Sequence, residues 1–450
     1  MSRKIIVLLG LLLVHGLIGA DLRIVDASKE GNKKVIAALL SAHVDVNASV
    51  PGGPTALSWA ASRDDSETVQ LLLAAGANPN TANDYGETPL TLACANGDGP
   101  MVQKLLDAGA SAKAARWNGE TALMICAGTG NVDAVQRLLA HGADVAATDH
   151  AKGQNALMWA AAQGQAKVIP VLAMSGANVN LPSKGDFTPL MFAAVKGDAA
   201  TIRALVDAGA EVNHEMTDGT GALMIASNYS KTAAALALLE RGANPSVKDS
   251  AGNTVLHTAA QTGHAELVAR LIAKGANPNA RTASVAPPAA GRGGGGGGRG
   301  LGPGGEQTPL LLAAKAGHLD VMKALIAGGA DPKLKAQDDT TLLMSAAGSG
   351  HVDVVKYAYE LDPSTVQASN KSGNNAVHAS VTGTGNLVPQ ASICEVIQFL
   401  ADKGAEIDVK NAAGRTAISI ANGLPIDTAV TLMADMLAKA GRTPLLSPKR

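Results

Sequence analysis

A tripeptide of the kind Thr88-Pro89-Leu90 sets a register that governs the whole chain. Its first residue returns at Thr55, Thr88, Thr121, Asn155, Thr188, Gly221 and Thr254, 33 or 34 residues apart. After a gap of 54 residues the series resumes at Thr308 and continues through Thr341, Asn375 and Thr416. A glycine followed by alanine stands 21 residues after most of these anchors, at Gly76, Gly109, Gly142, Gly176, Gly209, Gly242, Gly275 and Gly329. Another glycine stands nine after many of them, at Gly97, Gly130, Gly164, Gly197, Gly263, Gly317 and Gly350. Three markers in one fixed register require an array of like units.

Each marker has a physical task. Threonine caps a helix N-terminus, and proline beside it suits the first turn. The mid-unit glycine ends a short first helix, and the late glycine ends a second, where a left-handed residue is needed. Between them apolar residues recur at helical spacing, as in Val132, Val135, Leu138 and Leu139. The expected unit is two short antiparallel helices and a turn. One such unit is too small to bury its own apolar face, so neighbours must stack. Composition fits close stacking: 46% of residues are hydrophobic, yet only 2% are aromatic. The core is therefore expected to be alanine, leucine, valine and methionine.

The stretch Asn253-Thr254-Val255-Leu256-His257-Thr258-Ala259-Ala260, with Gly263-His264 and Gly275-Ala276-Asn277, resembles an ankyrin repeat. So does Thr308-Pro309-Leu310-Leu311-Leu312-Ala313-Ala314 with Gly317-His318. The resemblance covers about 22–441 and implies an all-α repeat solenoid of stacked helix-turn-helix units with β-hairpin or turn tips. An N-terminal half-repeat and seven full repeats are expected over 21–280, and four more over 306–441, the last two irregular. The intervening segment 281–305, rich in glycine, proline and arginine, reads as a flexible insertion, and 442–450 as a disordered tail.

Residues 1–20 read as a signal peptide. Arg3 and Lys4 precede an apolar run from Ile5 to Leu13, and small residues lead to Ala20, after which cleavage is expected. The run is short of the roughly 20 apolar residues that span a bilayer. A periplasmic or secreted protein is the expectation, with no membrane association beyond export; retention of the segment as an anchor is the alternative.

Charge gives no lead toward nucleic acid, because 37 basic residues face 38 acidic ones. The sequence holds no nucleophile elbow, phosphate loop or metalloprotease helix motif. Neither an enzyme, a cofactor, a metal nor a small-molecule substrate is expected. Methionines at Met124, Met158, Met191, Met224 and Met344 fall in one register. Thioethers are soft ligands for copper(I), but rungs about 8–10 Å apart are too distant to share an ion, so the ladder reads as packing. Cys94 and Cys126 fall in adjacent first helices, out of register by one residue. They read as separate buried thiols, because a bridge needs Cα atoms within about 7 Å.

The resemblance also implies where a partner docks: on the hairpin tips and the exposed end of the first helix. The scarce aromatics gather there. Tyr85, Trp117 and Phe187 hold hairpin positions, and Tyr229 lies eight after its anchor. Polar companions include Asp84, Glu87, Arg116, Asn118, Glu120, Lys152, Lys184, Lys196 and Asp218. Tyrosine and tryptophan dominate protein-binding hot spots, so the expected activity is non-catalytic binding of a protein partner. Trp59, Trp159 and Phe192, four after their anchors, are expected to be partly buried.

Overall fold

In the computed structural model, residues 21–284, 305–383 and 388–443 are described. The expected signal segment 1–20, most of the insertion, the extra residues 384–387 and the tail from 444 lie outside them. The chain divides after Glu211 into two compact units.

The first unit is six helix pairs. The inner helices are α1 (Arg23–Glu30), α3 (Ala56–Ser62), α5 (Pro89–Asn96), α7 (Ala122–Thr129), α9 (Ala156–Gln163) and α11 (Pro189–Lys196). Their outer partners are α2 (Lys33–Ser41), α4 (Ser66–Ala74), α6 (Gly99–Asp107), α8 (Val132–Ala140), α10 (Val168–Met174) and α12 (Ala199–Asp207). Each inner helix packs on the next. Among the described residues no strand forms, and the tips are turns with isolated bridges such as Ala115 to Thr121.

The second unit repeats the plan. Its inner helices are α13 (Ala222–Asn228), α15 (Val255–Thr262), α17 (Pro309–Ala316), α19 (Leu342–Ser349), α21 (Ala376–Thr382) and α23 (Ala417–Ala421). The outer ones are α14 (Thr232–Glu240), α16 (Ala265–Ala273), α18 (Leu319–Ala327), α20 (Val352–Leu361), α22 (Gln390–Asp402) and α24 (Asp427–Lys439). Where Asp362-Pro363 replaces the usual Gly-Ala, α20 gives way to a short 3-10 turn, Pro363–Gln367.

The anchors cap the inner helices as their chemistry dictates. Thr55, Thr121, Thr188, Thr308, Thr341 and Thr416 each accept a hydrogen bond from the third helical N–H, and Asn155 and Asn375 do the same. Gly221 has no side chain to do so. Mid-unit glycines such as Gly130 (φ 81°) hold left-handed caps. Asp64 (φ 60°) and Ser230 (φ 55°) hold that conformation without glycine's freedom.

The core is aliphatic. Leu90, Leu105, Leu123, Leu138 and Leu157 are buried, and so are all five ladder methionines. Repeats are also tied by asparagines at the base of the hairpins. Asn80 donates from Nδ2 to the Gly109 carbonyl (2.9 Å) and accepts from the Ser111 N–H (2.7 Å). Asn47 and Asn180 make the same pair of bonds in the first unit, and Asn213 and Asn279 in the second.

The two cysteines correct the sequence reading. Cys94 and Cys126 form a disulfide between α5 and α7, with Cα atoms 4.6 Å apart. The expectation of separate thiols confused axis spacing with surface spacing. Axes about 9 Å apart carry Cα atoms about 2.3 Å off each axis, so Cα atoms facing one another come within about 4–5 Å. Both cysteines are fully buried among alanines.

His257 joins two repeats of the second unit. The Thr254 N–H donates to its Nδ1 (3.0 Å), so Nε2 carries the proton toward the Gln307 carbonyl (3.0 Å). His378 likewise lies between Asn375, whose Oδ1 is 2.8 Å from its Nδ1, and the Arg415 carbonyl, 3.2 Å from its Nε2. Burial pushes both imidazoles below their ordinary value. The unfolded chain therefore takes up protons first, and stability held above pH ~6.5 is lost as pH falls from there toward the folded-state value. The urea midpoint of the second unit is expected to drop between pH 7.5 and pH 5. In His257→Gln the drop should be smaller by about a third to a half. An unchanged drop assigns the acid sensitivity elsewhere.

Candidate functional site: hairpin tips and the inner groove

Each tip of the first unit is stitched to the next by one main-chain bond. The Asp84 N–H donates to the Gly52 carbonyl (2.8 Å), Trp117 to Tyr85 (3.1 Å), His150 to Asn118 (2.8 Å) and Lys184 to Lys152 (2.8 Å). The tips lie close together. A Cβ on Gly86 (φ 75°) would come within 2.8 Å of the Trp117 nitrogen, so only glycine fits there.

This stitching leaves two neighbouring rings in water. Tyr85 is 65% exposed and Trp117 71%. Their backbones are fixed by the shared bond, so the rings sit on a rigid base. In the second unit Tyr229 is 58% exposed at the end of α13, one residue before Ser230, which stands where other repeats carry glycine.

The polar residues named from the sequence divide into two groups. Glu87, Arg116 and Glu120 form an ion triad, with Arg116 Nη2 3.1 Å from Glu87 and Nη1 3.0 Å from Glu120. Asn118 receives the Glu120 N–H on its side chain, shaping its own tip. Lys184 donates from Nζ to the His150 carbonyl (2.6 Å). These five residues are tip framework as well as surface. Lys196 stands exposed at the end of α11.

Phe187 differs from its expected exposure. It is half-buried, its ring 5.6 Å from Phe192. Here the residue before the anchor Thr188 meets the residue four after it, and both are phenylalanine. That contact reveals a column the aromatic count alone had obscured. Trp59, Leu92, Ile125, Trp159 and Phe192, each four after its anchor, supply one apolar side chain per repeat. All but Ile125 are partly exposed. Lys29 lies over the Trp59 ring (5.6 Å) at one end. The Trp159 ring lies over Gly128 of the preceding repeat, where a Cβ would meet it at 3.3 Å. Its indole N–H is buried and has no acceptor among the described residues.

Among the described residues no cluster of three histidine, cysteine or acidic groups is placed to hold a metal ion, and no helix is long and apolar enough to cross a membrane.

Helix pairs in a 33-residue register, capped at threonine and bridged through hairpin turns, define a class of protein-binding repeat scaffold. The family model for ankyrin repeats (three copies) matches residues 24–116, 99–183, 190–282 and 310–411, and the chain belongs to the ankyrin-repeat family. Members of that family are protein–protein interaction modules and in general non-catalytic. Among curated proteins none matches the chain.

Proposed function

We propose that this chain is an exported binding protein of the cell envelope, which holds a protein partner against the tips and inner face of its first unit. The carrying observation is the Tyr85–Trp117 pair, two large rings left in water on adjoining, hydrogen-bonded tips. Isolated exposed apolar residues are ordinary, but paired aromatics on a rigid base are the composition of a docking hot spot. The partner role is that of a scaffold, an inhibitor or a protective companion.

Two features support export. Residues 1–20 have the pattern of a cleaved leader. Structural disulfides persist in oxidising compartments, and Cys94–Cys126 is a fully buried one. Both features fit equally a secreted effector that engages proteins of another cell.

Affinity capture with the mature protein, read by mass spectrometry, tests the binding reading against a Tyr85→Ala/Trp117→Ala double variant. A partner recovered with the native chain and lost with the variant supports it; an identical set from both removes the tips from the interface. Fractionation separates the two locations. Protein found in the periplasm supports the envelope role, protein found in the medium supports the effector, and protein found only in the cytosol ends both.

A further inference from the structure

We propose that the hairpin tips of the second unit bind an acidic peptide segment, whose carboxylates enter a cationic trough built around Arg281. This site goes beyond the docking surface proposed for the first unit and does not depend on it.

The trough begins with one position of the repeat. Six residues before the anchor, the second unit carries Lys248 ahead of Thr254 and Lys335 ahead of Thr341. Arg281, two after the clasp residue Asn279, holds the same place in the repeat between them. The first unit has Ser49, Ala82, Ala115, Asp149 and Pro182 there, with no cation among them. Three consecutive tips therefore line up basic side chains in a chain whose overall charge is only −1.

The fold gathers these groups around two cavities. One of about 390 Å³ is lined by Arg281, Lys333, Lys335 and Lys371, with Glu306 and Asp339 as its acids. The other, of about 300 Å³, is lined by Lys248 and again by Arg281. Five cations from four successive tips thus face two carboxylates. The tips are fixed to one another, since the Gln337 N–H donates to the Gly305 carbonyl (2.9 Å) and the Lys371 N–H to the Asp338 carbonyl (2.8 Å). Lys371 also donates from Nζ to the Gln337 carbonyl.

Much of this charge is not spent inside the protein. Arg281 uses Nη1 for both of its bonds, to Glu306 (3.0 Å) and to the Lys335 carbonyl (3.1 Å). Those bonds hold the guanidinium in place and leave its Nε–Nη2 edge open. Such an edge takes a carboxylate through two parallel hydrogen bonds. The side chains of Lys248, Lys333 and Lys335 make no hydrogen bond or ion pair among the described residues. Unpaired like charges held together form a local positive field, and a complementary anion is drawn to it.

The lining favours a peptide over a nucleic acid. Neither cavity has an aromatic ring on which a base could stack. Glu306 and Asp339, set among the cations, repel an evenly charged polyanion. A peptide carries its carboxylates singly, and the N–H groups between them can donate to these two acids.

The test uses the full mature protein and an end-blocked, eight-residue peptide of alternating glutamate and serine, its binding read by isothermal titration calorimetry at low salt. The same peptide with glutamine for glutamate is the control, expected to bind at least tenfold more weakly. Lys333→Gln/Lys335→Gln removes two cations that hold nothing else, and should weaken the acidic peptide at least tenfold with an unchanged melting curve. Arg281→Lys keeps the charge and loses the fork, and should weaken it at least fivefold; its melting curve is recorded beside it, because Arg281 also ties two tips together. Raising the salt to 0.5 M should weaken binding strongly, since exposed charges are then screened within a few ångströms. Tyr85→Ala/Trp117→Ala should leave this binding unchanged, so failure here and failure of the first-unit surface are told apart. Equal affinity for the glutamate and glutamine peptides overturns the proposal, as does full affinity in the Lys333→Gln/Lys335→Gln protein or no binding at millimolar concentration. A single-stranded oligonucleotide of the same length that binds more tightly than the acidic peptide would overturn the choice of a peptide ligand.

Discussion

Replacing Cys94 by alanine is expected to lower the unfolding free energy of the first unit by about 3–4 kcal/mol. The bridge spans 32 residues, one repeat less a single position, and closing a loop of that length removes about this much free energy's worth of disorder from the unfolded chain. Little is lost in the folded state, because Cys94 occupies an alanine-type position on an inner helix and alanine fills it without a large void. The loss should be concentrated between the second and third repeats, since each repeat touches only its neighbours. Urea unfolding followed by circular dichroism, with and without reductant, measures it. Reduced native protein should unfold at the variant's midpoint, and the variant itself should ignore the reductant. A native midpoint indifferent to reductant would contradict the bridge's contribution. Both sulfurs are shielded from solvent, so reduction without denaturant should proceed only as fast as the joint opens.

The second large effect concerns the tips. Tyr85→Ala/Trp117→Ala should weaken a captured partner by about a hundredfold to a thousandfold, the loss of one or two hot-spot rings at about 3–4 kcal/mol together. Stability should change by no more than about 0.5 kcal/mol, because both rings are mostly in water and neither fills the core. The opposing responses make the test sharp. A double variant that melts several degrees lower would mean that the rings hold the hairpins together rather than await a partner. Surface plasmon resonance on the captured partner, beside a thermal melt, gives both numbers.

Much of the architecture could be read from residue spacing, because the fold is built from local rules repeated. Threonine before a helix, glycine after it and alanine between helices act within a few residues, and each acts alike in every repeat. What stayed hidden depends on distances between repeats. The pairing of Cys94 with Cys126 needed the closest approach of two helix surfaces, and a periodic pattern reports only the spacing of their axes. Glu87, Arg116 and Glu120 looked like three separate groups offered to a partner, yet they are paired with one another across adjoining tips. Lys184 looked free and is bound to a neighbouring carbonyl. The groove column had its residues in view, with Trp59, Trp159 and Phe192 correctly expected to be half-buried. Its continuity emerged only when the Phe187–Phe192 contact showed which positions face one another.

The asparagine clasps at the base of the hairpins carry a consequence for how such a chain can change length. The clasps of Asn47, Asn80, Asn180 and Asn213 reach a carbonyl 29 residues ahead and an amide 31 ahead, as Asn80 reaches Gly109 and Ser111, while that of Asn279 reaches the same two kinds of partner 50 and 52 ahead, past the insertion. Cutting out a whole module, from Thr88 through Glu120, would bring Asn80 to Gly142 and Asp144, the same two kinds of partner one step on. Cutting out half a module would leave the clasp closing on nothing and would turn the helix faces inside out. Gene duplication and loss can therefore edit the helical stack in steps of one repeat, and shorter additions are accommodated only where, as past Asn279, they fall between one clasp partner and the next.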